Sequence, residues 1–256
     1  SVTLGTNPLG TNPLDHKNNP NETAVVDFDK LLEQDSKKYS KKDLRQHILD
    51  LPDTYIGSVV PSELETWVYD SETETIVNKK IIVSMGLYKI VDELLQNAAD
   101  NAMRTVANKK VDPNVELTTQ IKVSFEEDGT ISIMNNGEGI PIVEHKEHKI
   151  LIPSMIFGEL LTSGNYNQDE QRRWGGKNGY GGKASCIYST TFTAETVDRV
   201  RNKKFTQTWC DNMSVAKPAV VKDFEGKPFT KVTFKPDYKR FGCDSLTPDM
   251  KSLLTR

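Results

Sequence analysis

The sequence is poor in the residues that staple small domains or hold structural metals. Cysteine occurs three times, at Cys186, Cys210 and Cys243. That is an odd number without short paired spacing, so free thiols in a reducing compartment are expected rather than disulfides or a zinc site. His145 and His148, three apart in "EHKEHK", are better explained by a charged surface loop than by a metal. No apolar run approaches the ~20 residues of a membrane span. The start, "SVTLGTNPLG", has no basic region followed by an apolar stretch, so no signal peptide is visible and an intracellular protein with no membrane partner is expected. A dominant charge is missing too. Lys+Arg number 33 against 36 Asp+Glu, a formal net charge of −3, and the basic pairs are scattered among acids. The chain as a whole is no electrostatic grip for nucleic acid. No Ser/His/Asp arrangement or activated cysteine stands out.

What is present has an order. A length of 256 residues suits one large domain or two small ones, but hydrophobic residues make up only 36%, which implies that part of the chain is unpacked. Residues 1–25 repeat "GTNPL" at 5–9 and 10–14 and show no periodicity. A flexible arm over 1–35 is expected, followed by one folded domain over 36–256. Leu44, His47, Ile48 and Leu51 recur at helical spacing until Pro52 stops the helix. Residues 85–110 carry the longest helical signal, with Leu87, Val91, Leu94, Leu95, Ala98 and Ala102 on one side. "TQIKVSFEEDGTISIMNN" alternates on both sides of Asp128-Gly129 and predicts a hairpin, and "PSMIFGELLT" predicts a short helix. From 190 onward "TTFTAETV", "KKFTQTWCDNM", "KPAVVKDF" and "FTKVTFKP" are strand-like. Helices early and hairpins late predict an α+β fold, with helices covering one face of a largely antiparallel sheet.

Three clusters carry chemistry. On the long helix, Glu93, Asn97, Asp100, Asn101 and Arg104 form a stripe read as lying opposite the apolar one. A solvated face would draw on Glu, Lys and Arg, whereas Asn is a poor helix former that competes for the backbone. An Asn carbonyl oxygen can ligate Mg²⁺, and a Glu one turn away can take a proton from water. The second cluster, "NNGEGIP" at 135–141, follows a strand and has the Gly-x-Gly spacing that lets a backbone bend close to a flat ligand, with Asn135 placed to bond a base edge. The third is "GGKNGYGGKAS", with five glycines in residues 175–182. It is not a P-loop: Lys177 occupies the first glycine position and Ala184 follows Lys183. Glycine backbone amides beside a lysine still suit anionic oxygens, above all if a helix starts near Gly182.

In order, "DELLQNAADNAMR", "ISIMNNGEGIPIVEHK", "PSMIFGELLTSGNY" and "GGKNGYGGKASCIYSTTF" closely resemble the ATPase domain of eukaryotic-type DNA topoisomerase II. "KKYSKKDLRQHILDLPDTYIGS" is similar to that family's N-terminal segment, so the resemblance covers roughly residues 36–256. The shorter motifs are shared with a wider superfamily of gyrase, heat-shock chaperones, mismatch-repair proteins and histidine kinases. The resemblance implies a Bergerat-type fold, a two-layer sandwich of a mostly antiparallel mixed sheet with helices on one face. It also implies binding of ATP and Mg²⁺, closure of two such domains into a homodimer, and capture of DNA in the full-length enzyme. Nuclear residence is the family default for a cellular source, and a viral source is left open.

By the same resemblance, Glu93 matches the carboxylate that activates the attacking water and Asn97 the magnesium ligand. Asn101 and Arg104 match residues near the phosphates, and Asn135 with Gly139 the adenine-side segment. Thr162, Ser163, Gly164 and Asn165 match a ribose and phosphate segment. Gly176, Lys177, Asn178, Gly179, Tyr180, Gly181, Gly182 and Lys183 match the lid around the triphosphate, with Lys183 at its terminal end. Tyr39 matches a residue on a strap that enters the partner subunit's site. Asp50 and Lys177 stand where the family usually has Arg, Gly182 where it has Ala, and Gly164 where it has Ser. The family continues with a transducer domain, whose loop supplies a lysine to the terminal phosphate, and with DNA-cleavage domains, so the chain is expected to be a fragment. Two readings of different class follow: an ATP-hydrolysing enzyme, or a nucleotide-binding dimerisation module with little hydrolysis on its own. A chaperone or mismatch-repair protein of the same superfamily fits the short motifs but not the long runs.

Overall fold

A computed structural model describes residues 44–160 and 181–256, all within one compact unit, Lys42–Arg256. The expected arm over 1–35 lies outside the described residues.

The chain enters through α1 (Leu44–Asp50), which buries Ile48 and Leu49. Pro52 ends it as the spacing predicted and at once starts a single turn, α2 (Pro52–Tyr55), because proline's fixed φ and missing N–H suit a first helical position. Two strands then pair antiparallel, β1 (Ser62–Asp70) and β2 (Thr75–Val83). The sequence reading did not call this hairpin. Its inward positions are interrupted by Thr66 and Lys79, and only Val68, Ile81 and Val83 of its strand residues are buried. The turn is made by Asp70, whose Oδ1 accepts from the amides of Glu72 and Thr73 at 2.9 and 3.0 Å, a local side-chain signal rather than a glycine one.

The long helix α3 (Met85–Lys109) is capped by Ser84, whose hydroxyl accepts from the Leu87 amide at 3.3 Å. Such a cap contributes about 1 kcal/mol. Helix α3 buries Leu87, Ile90, Val91, Leu94 and Ala98, together with the polar Asn101 and Thr105. Next come β3 (Ile121–Phe125), β4 (Ile131–Asn136) and the short helices α4 (Ile152–Gly158) and α5 (Gly181–Ile187). The strands β5 (Ser189–Asp198), β6 (Lys203–Cys210), β7 (Val215–Ala216), β8 (Val220–Asp223) and β9 (Phe229–Pro236) follow, with α6 (Pro248–Thr255) last.

The main sheet runs β3-β4-β9-β5-β6-β7, with β8 also paired to β6, and all of these pairings are antiparallel. Alternation separates its two faces. Ile131, Ile133, Phe192, Phe205, Trp209, Val232 and Phe234 are buried, on the face that helices cover. There Phe192 lies 5.9 Å from the ring of Phe157 on α4 and 6.1 Å from those of Trp209 and Phe234. On the other face Ser124, Ser132, Thr233, Thr193 and Thr208 stand in register across five strands, none of them buried. This is the α+β sandwich expected. Strand β9, last in sequence, sits between β4 and β5.

Candidate functional site

Helix α3 is the spine of the site. Glu93, Asn97 and Arg104 are half-buried, Asn101 is buried at 7% exposure and Asp100 is exposed. The polar stripe therefore runs beside the apolar face rather than opposite it, which corrects the sequence reading. Asn101 belongs to the buried set, and the flank has one wall of protein and one open side, as a ligand-holding surface needs.

At the N-terminal half of this flank, α3 meets α5. The Ser185 hydroxyl donates to the Ile90 carbonyl at 2.7 Å and fixes the two helices together. Helix α5 begins at Gly181, close to the expected start at Gly182. A Cβ placed on Gly181 would stand 2.6 Å from the carboxylate carbon of Glu93 and overlap one of its oxygens. The other oxygen takes an ion pair from Lys89 Nζ at 2.5 Å. Hydrogen bonding to Glu93, aided by the charge of Asp92, raises the Lys89 ammonium above its ordinary value. Sequence reasoning missed Lys89, although a lysine one turn before a carboxylate on a helix is a readable signal. A Cβ on Gly182 would meet Asn97 Nδ2 at an ordinary 3.4 Å, so the alanine usual in the family would fit here. Lys183 is buried at 6% exposure. Burial lowers its pKa from the ordinary 10.5, partly opposed by the charge of Glu159.

At the C-terminal half, α3 meets the turn after β4. Asn101 Nδ2 donates to the Glu138 carbonyl at 3.2 Å and to Thr118 Oγ1 at 3.1 Å, while its Oδ1 accepts from Arg104 Nη2 at 2.5 Å. Burial lowers the Arg104 pKa, opposed by the charges of Glu138 and Asp100. Asn135 is buried, on the helix-covered face of β4 with Ile131 and Ile133, and its Nδ2 donates to the Asn136 carbonyl at 3.1 Å. Gly137 has φ +88°, a left-handed conformation that glycine adopts without strain. Gly139 is demanded by packing, since a Cβ there would overlap the Val197 carbonyl oxygen of β5. The peptide beyond is held by β5 as well, with Ile140 N donating to Thr196 Oγ1 and Ile142 N to Asp198 Oδ2, both at 2.9 Å.

The structure thus sets Glu93 and Asn97 against Gly181 and Gly182 of α5, with Lys183 next on that helix. It sets Asn101 with Arg104 against the Glu138 carbonyl of the turn that Gly139 continues, while Asn135 lies on the helix-covered face of β4. Tyr39, Thr162, Ser163, Gly164, Asn165, Gly176, Lys177, Asn178, Gly179 and Tyr180 lie outside the described residues. Among the described residues no group of three or more His, Cys, Asp or Glu could hold a metal. Asn97 offers one hard oxygen, which suits a Mg²⁺ that takes its remaining ligands from phosphates and water and does not suit a protein-caged metal. No helix among the described residues is long and apolar enough to cross a membrane.

Residues 82–237 match the family described as histidine kinase-, DNA gyrase B-, and HSP90-like ATPase. The chain is 45% identical over 222 residues to DNA topoisomerase 2 of Candida glabrata, covering 86% of this chain and 15% of that protein. It is similar to the crystal structure of the ATPase region of Saccharomyces cerevisiae topoisomerase II, at 45% identity and a TM-score of 0.72, covering 85% of this chain and 55% of that one. The ATPase and transducer domains of DNA topoisomerase II from Balamuthia mandrillaris match at 41% identity and a TM-score of 0.73, covering 86% and 55%. The chain therefore spans about 15% of the length of the curated relatives it matches.

Proposed function

The chain belongs to the histidine kinase-, DNA gyrase B-, and HSP90-like ATPase family, and from that premise we propose that it is the ATP-binding part of a type II DNA topoisomerase, with Glu93 activating a water for hydrolysis. The observation that carries this reading is the convergence on α3. Glu93 abuts Gly181 of α5, and Asn101 bonds the Glu138 carbonyl of the turn after β4. A base held near Asn135 and phosphates reaching toward α5 would span the polar flank, with Glu93 beside the outermost phosphate.

Each residue has a task that its surroundings suit. Glu93 accepts a proton from the attacking water, and the closeness of Gly181 leaves its carboxylate few orientations. Lys183, a cation already stripped of water, gains most from an anionic oxygen, since charge stabilisation is strongest where solvent is excluded. Asn101 and Arg104 are bonded to each other before any phosphate arrives, which lowers the cost of ordering them. Asn97 would hold Mg²⁺, which would supply neutralisation of phosphate charge. The lid over 176–183, the segment 162–165 and the Tyr39 strap complete this reading, as do closure of two copies into a homodimer on ATP binding and capture of DNA by the longer protein.

The test is Glu93→Gln in the longer protein. A positioned general base contributes about 10²–10⁴-fold, so ADP release should fall by at least that lower bound while nucleotide binding stays near wild type. Undiminished ADP release would end the assignment. A second reading has support in the match to 55% of a solved chain that includes a transducer domain. On it, the present chain binds nucleotide but turns it over slowly without the domain that follows. Equal turnover by the short and long proteins would remove it. A non-hydrolysable ATP analogue should shift sedimentation toward dimer, and a monomer at saturating analogue would count against the strap.

A further inference from the structure

Between α3 and β3, residues 115–120 form no regular element, yet they hydrogen-bond to both α3 and the end of β4. Thr118 is the node. Its amide donates to Thr105 Oγ1 on α3 at 3.1 Å. Its hydroxyl donates to the Asn136 carbonyl at 2.8 Å and accepts from Asn101 Nδ2 at 3.1 Å. One oxygen atom therefore touches both α3 and the turn after β4. The neighbours reinforce it: the amides of Thr119 and Gln120 donate to Asn136 Oδ1 at 2.9 and 2.8 Å, and Glu138 N donates to the Glu116 carbonyl at 3.0 Å. Gly137 is left-handed where it passes Thr118, and a Cβ there would lie 2.5 Å from both the Thr118 amide and its hydroxyl. The two backbones touch directly.

Direction matters as much as contact. The Thr118 hydroxyl has a single proton, and the Asn136 carbonyl can only accept it. The hydroxyl then presents lone pairs to α3, which favours Asn101 turning its Nδ2 inward. That orientation leaves Asn101 Oδ1 facing Arg104. We propose that Thr118 is a positioning residue for the nucleotide, its hydroxyl holding the base-side turn against the phosphate-side residues of α3. The inference rests on the reading of Asn135 as a base contact. Removing the hydroxyl leaves the Asn136 carbonyl with only the Asn135 side-chain amide and loosens the end of β4, which carries Asn135, from α3, whereas Asn101 keeps its bond to the Glu138 carbonyl.

The experiment is calorimetric titration of Thr118→Val, Thr118→Ser and wild type with a non-hydrolysable ATP analogue and with inorganic tripolyphosphate, at matched free Mg²⁺. Valine keeps the shape and loses the hydroxyl. Serine keeps the hydroxyl. The expected result for Thr118→Val is about a tenfold loss of analogue affinity with tripolyphosphate changed less than twofold, and for Thr118→Ser no more than a twofold change for either ligand. Thr118→Ala carries the same expectation as valine if the valine protein does not fold. Unchanged analogue affinity in a folded variant without the hydroxyl, or equal losses for both ligands, overturns the inference while leaving the ATPase reading intact. A wild-type chain that binds neither ligand overturns that reading, and this inference with it.

Discussion

The two halves of the α3 flank are built from different materials. Near Asn101 the contacts are mostly neutral and mutual, amide to hydroxyl to carbonyl, with the Arg104 guanidinium on Asn101 Oδ1 the charged exception. Near Glu93 the groups are ionic: Lys89 on one carboxylate oxygen, the Gly181 backbone beside the other, and Lys183 buried with the charge of Glu159 acting on it. Neutral hydrogen bonds contribute geometry and are indifferent to pH in the physiological range. Buried charges are sensitive to every ion brought near them. A base needs shape and a fixed donor pattern, while phosphates need compensating charge that responds. On the proposed reading the base-side turn is held by neutral bonds, while Arg104 and the groups near Glu93 supply the charge.

The sharpest way to break this division is to disturb the ionic half by one methyl group. Gly181→Ala places a Cβ into the carboxylate of Glu93, which is the far end of a flexible side chain and so yields without unfolding the domain. Displacement of a reacting group by about 1 Å costs on the order of 10²-fold in rate, so turnover should fall by that much with nucleotide affinity preserved. Gly182→Ala is the control, since its Cβ would find Asn97 Nδ2 at 3.4 Å and Phe157 at 3.6 Å, ordinary contacts. Steady-state ADP release by both variants settles it. Equal rates in the two would show that Glu93 is not held by α5.

A smaller effect concerns pH. Burial lowers the Lys183 pKa below 10.5 in the free protein, and a bound phosphate would raise it again by favouring the ammonium form. Binding then takes up a proton above the free-state pKa. The sign follows: affinity for an ATP analogue is flat at low pH and falls as pH rises through that lowered pKa, by up to about tenfold per pH unit. Titrations from neutral pH up to the ordinary lysine range should show the fall in wild type and in Thr118→Val alike. Lys183→Met should bind more weakly and lose the slope. A slope that survives in Lys183→Met would place the titrating cation elsewhere.

Much of this arrangement can be read from the sequence, and the part that cannot is topological. The bounds of α3 follow from Ser84 and from the spacing of Leu87, Val91, Leu94 and Ala98. The β3–β4 hairpin follows from alternation on either side of Asp128-Gly129. The run "FTKVTFKP" is β9 residue for residue, but nothing local says that β9 inserts between β4 and β5. Contacts between distant segments leave no periodic mark, and those are the ones that bring the 135–141 turn to α3. Thr118 is illegible for the same reason. "VELTTQ" looks like the approach to a strand, and only the folded chain sets its hydroxyl between Asn101 and Asn136. The hairpin β1–β2 was hidden by its mostly exposed positions. Asn101 could be picked out by residue type, yet its burial was not foreseen, because an Asn on a helix normally points to water.

The smallest expected effect tests whether the neutral half supports itself. Thr105 is fully buried, donates to the Ala102 carbonyl at 2.9 Å and accepts from the Thr118 amide at 3.1 Å. Valine has nearly the same shape, so Thr105→Val removes two hydrogen bonds without opening a cavity. The half-buried Thr118 amide is then left without its partner, which costs at most the roughly 1–3 kcal/mol of a fully buried donor. The urea midpoint should drop accordingly with an unchanged m-value, the signature of lost stability with no change in the surface exposed on unfolding. Turnover at saturating ATP should stay within about twofold in the longer protein, because Glu93 lies more than three helical turns away on the ionic half. If Thr105→Val instead slowed turnover as strongly as Gly181→Ala, the two halves would be one coupled unit, and the distinction between a neutral base side and an ionic phosphate side would have no mechanical meaning.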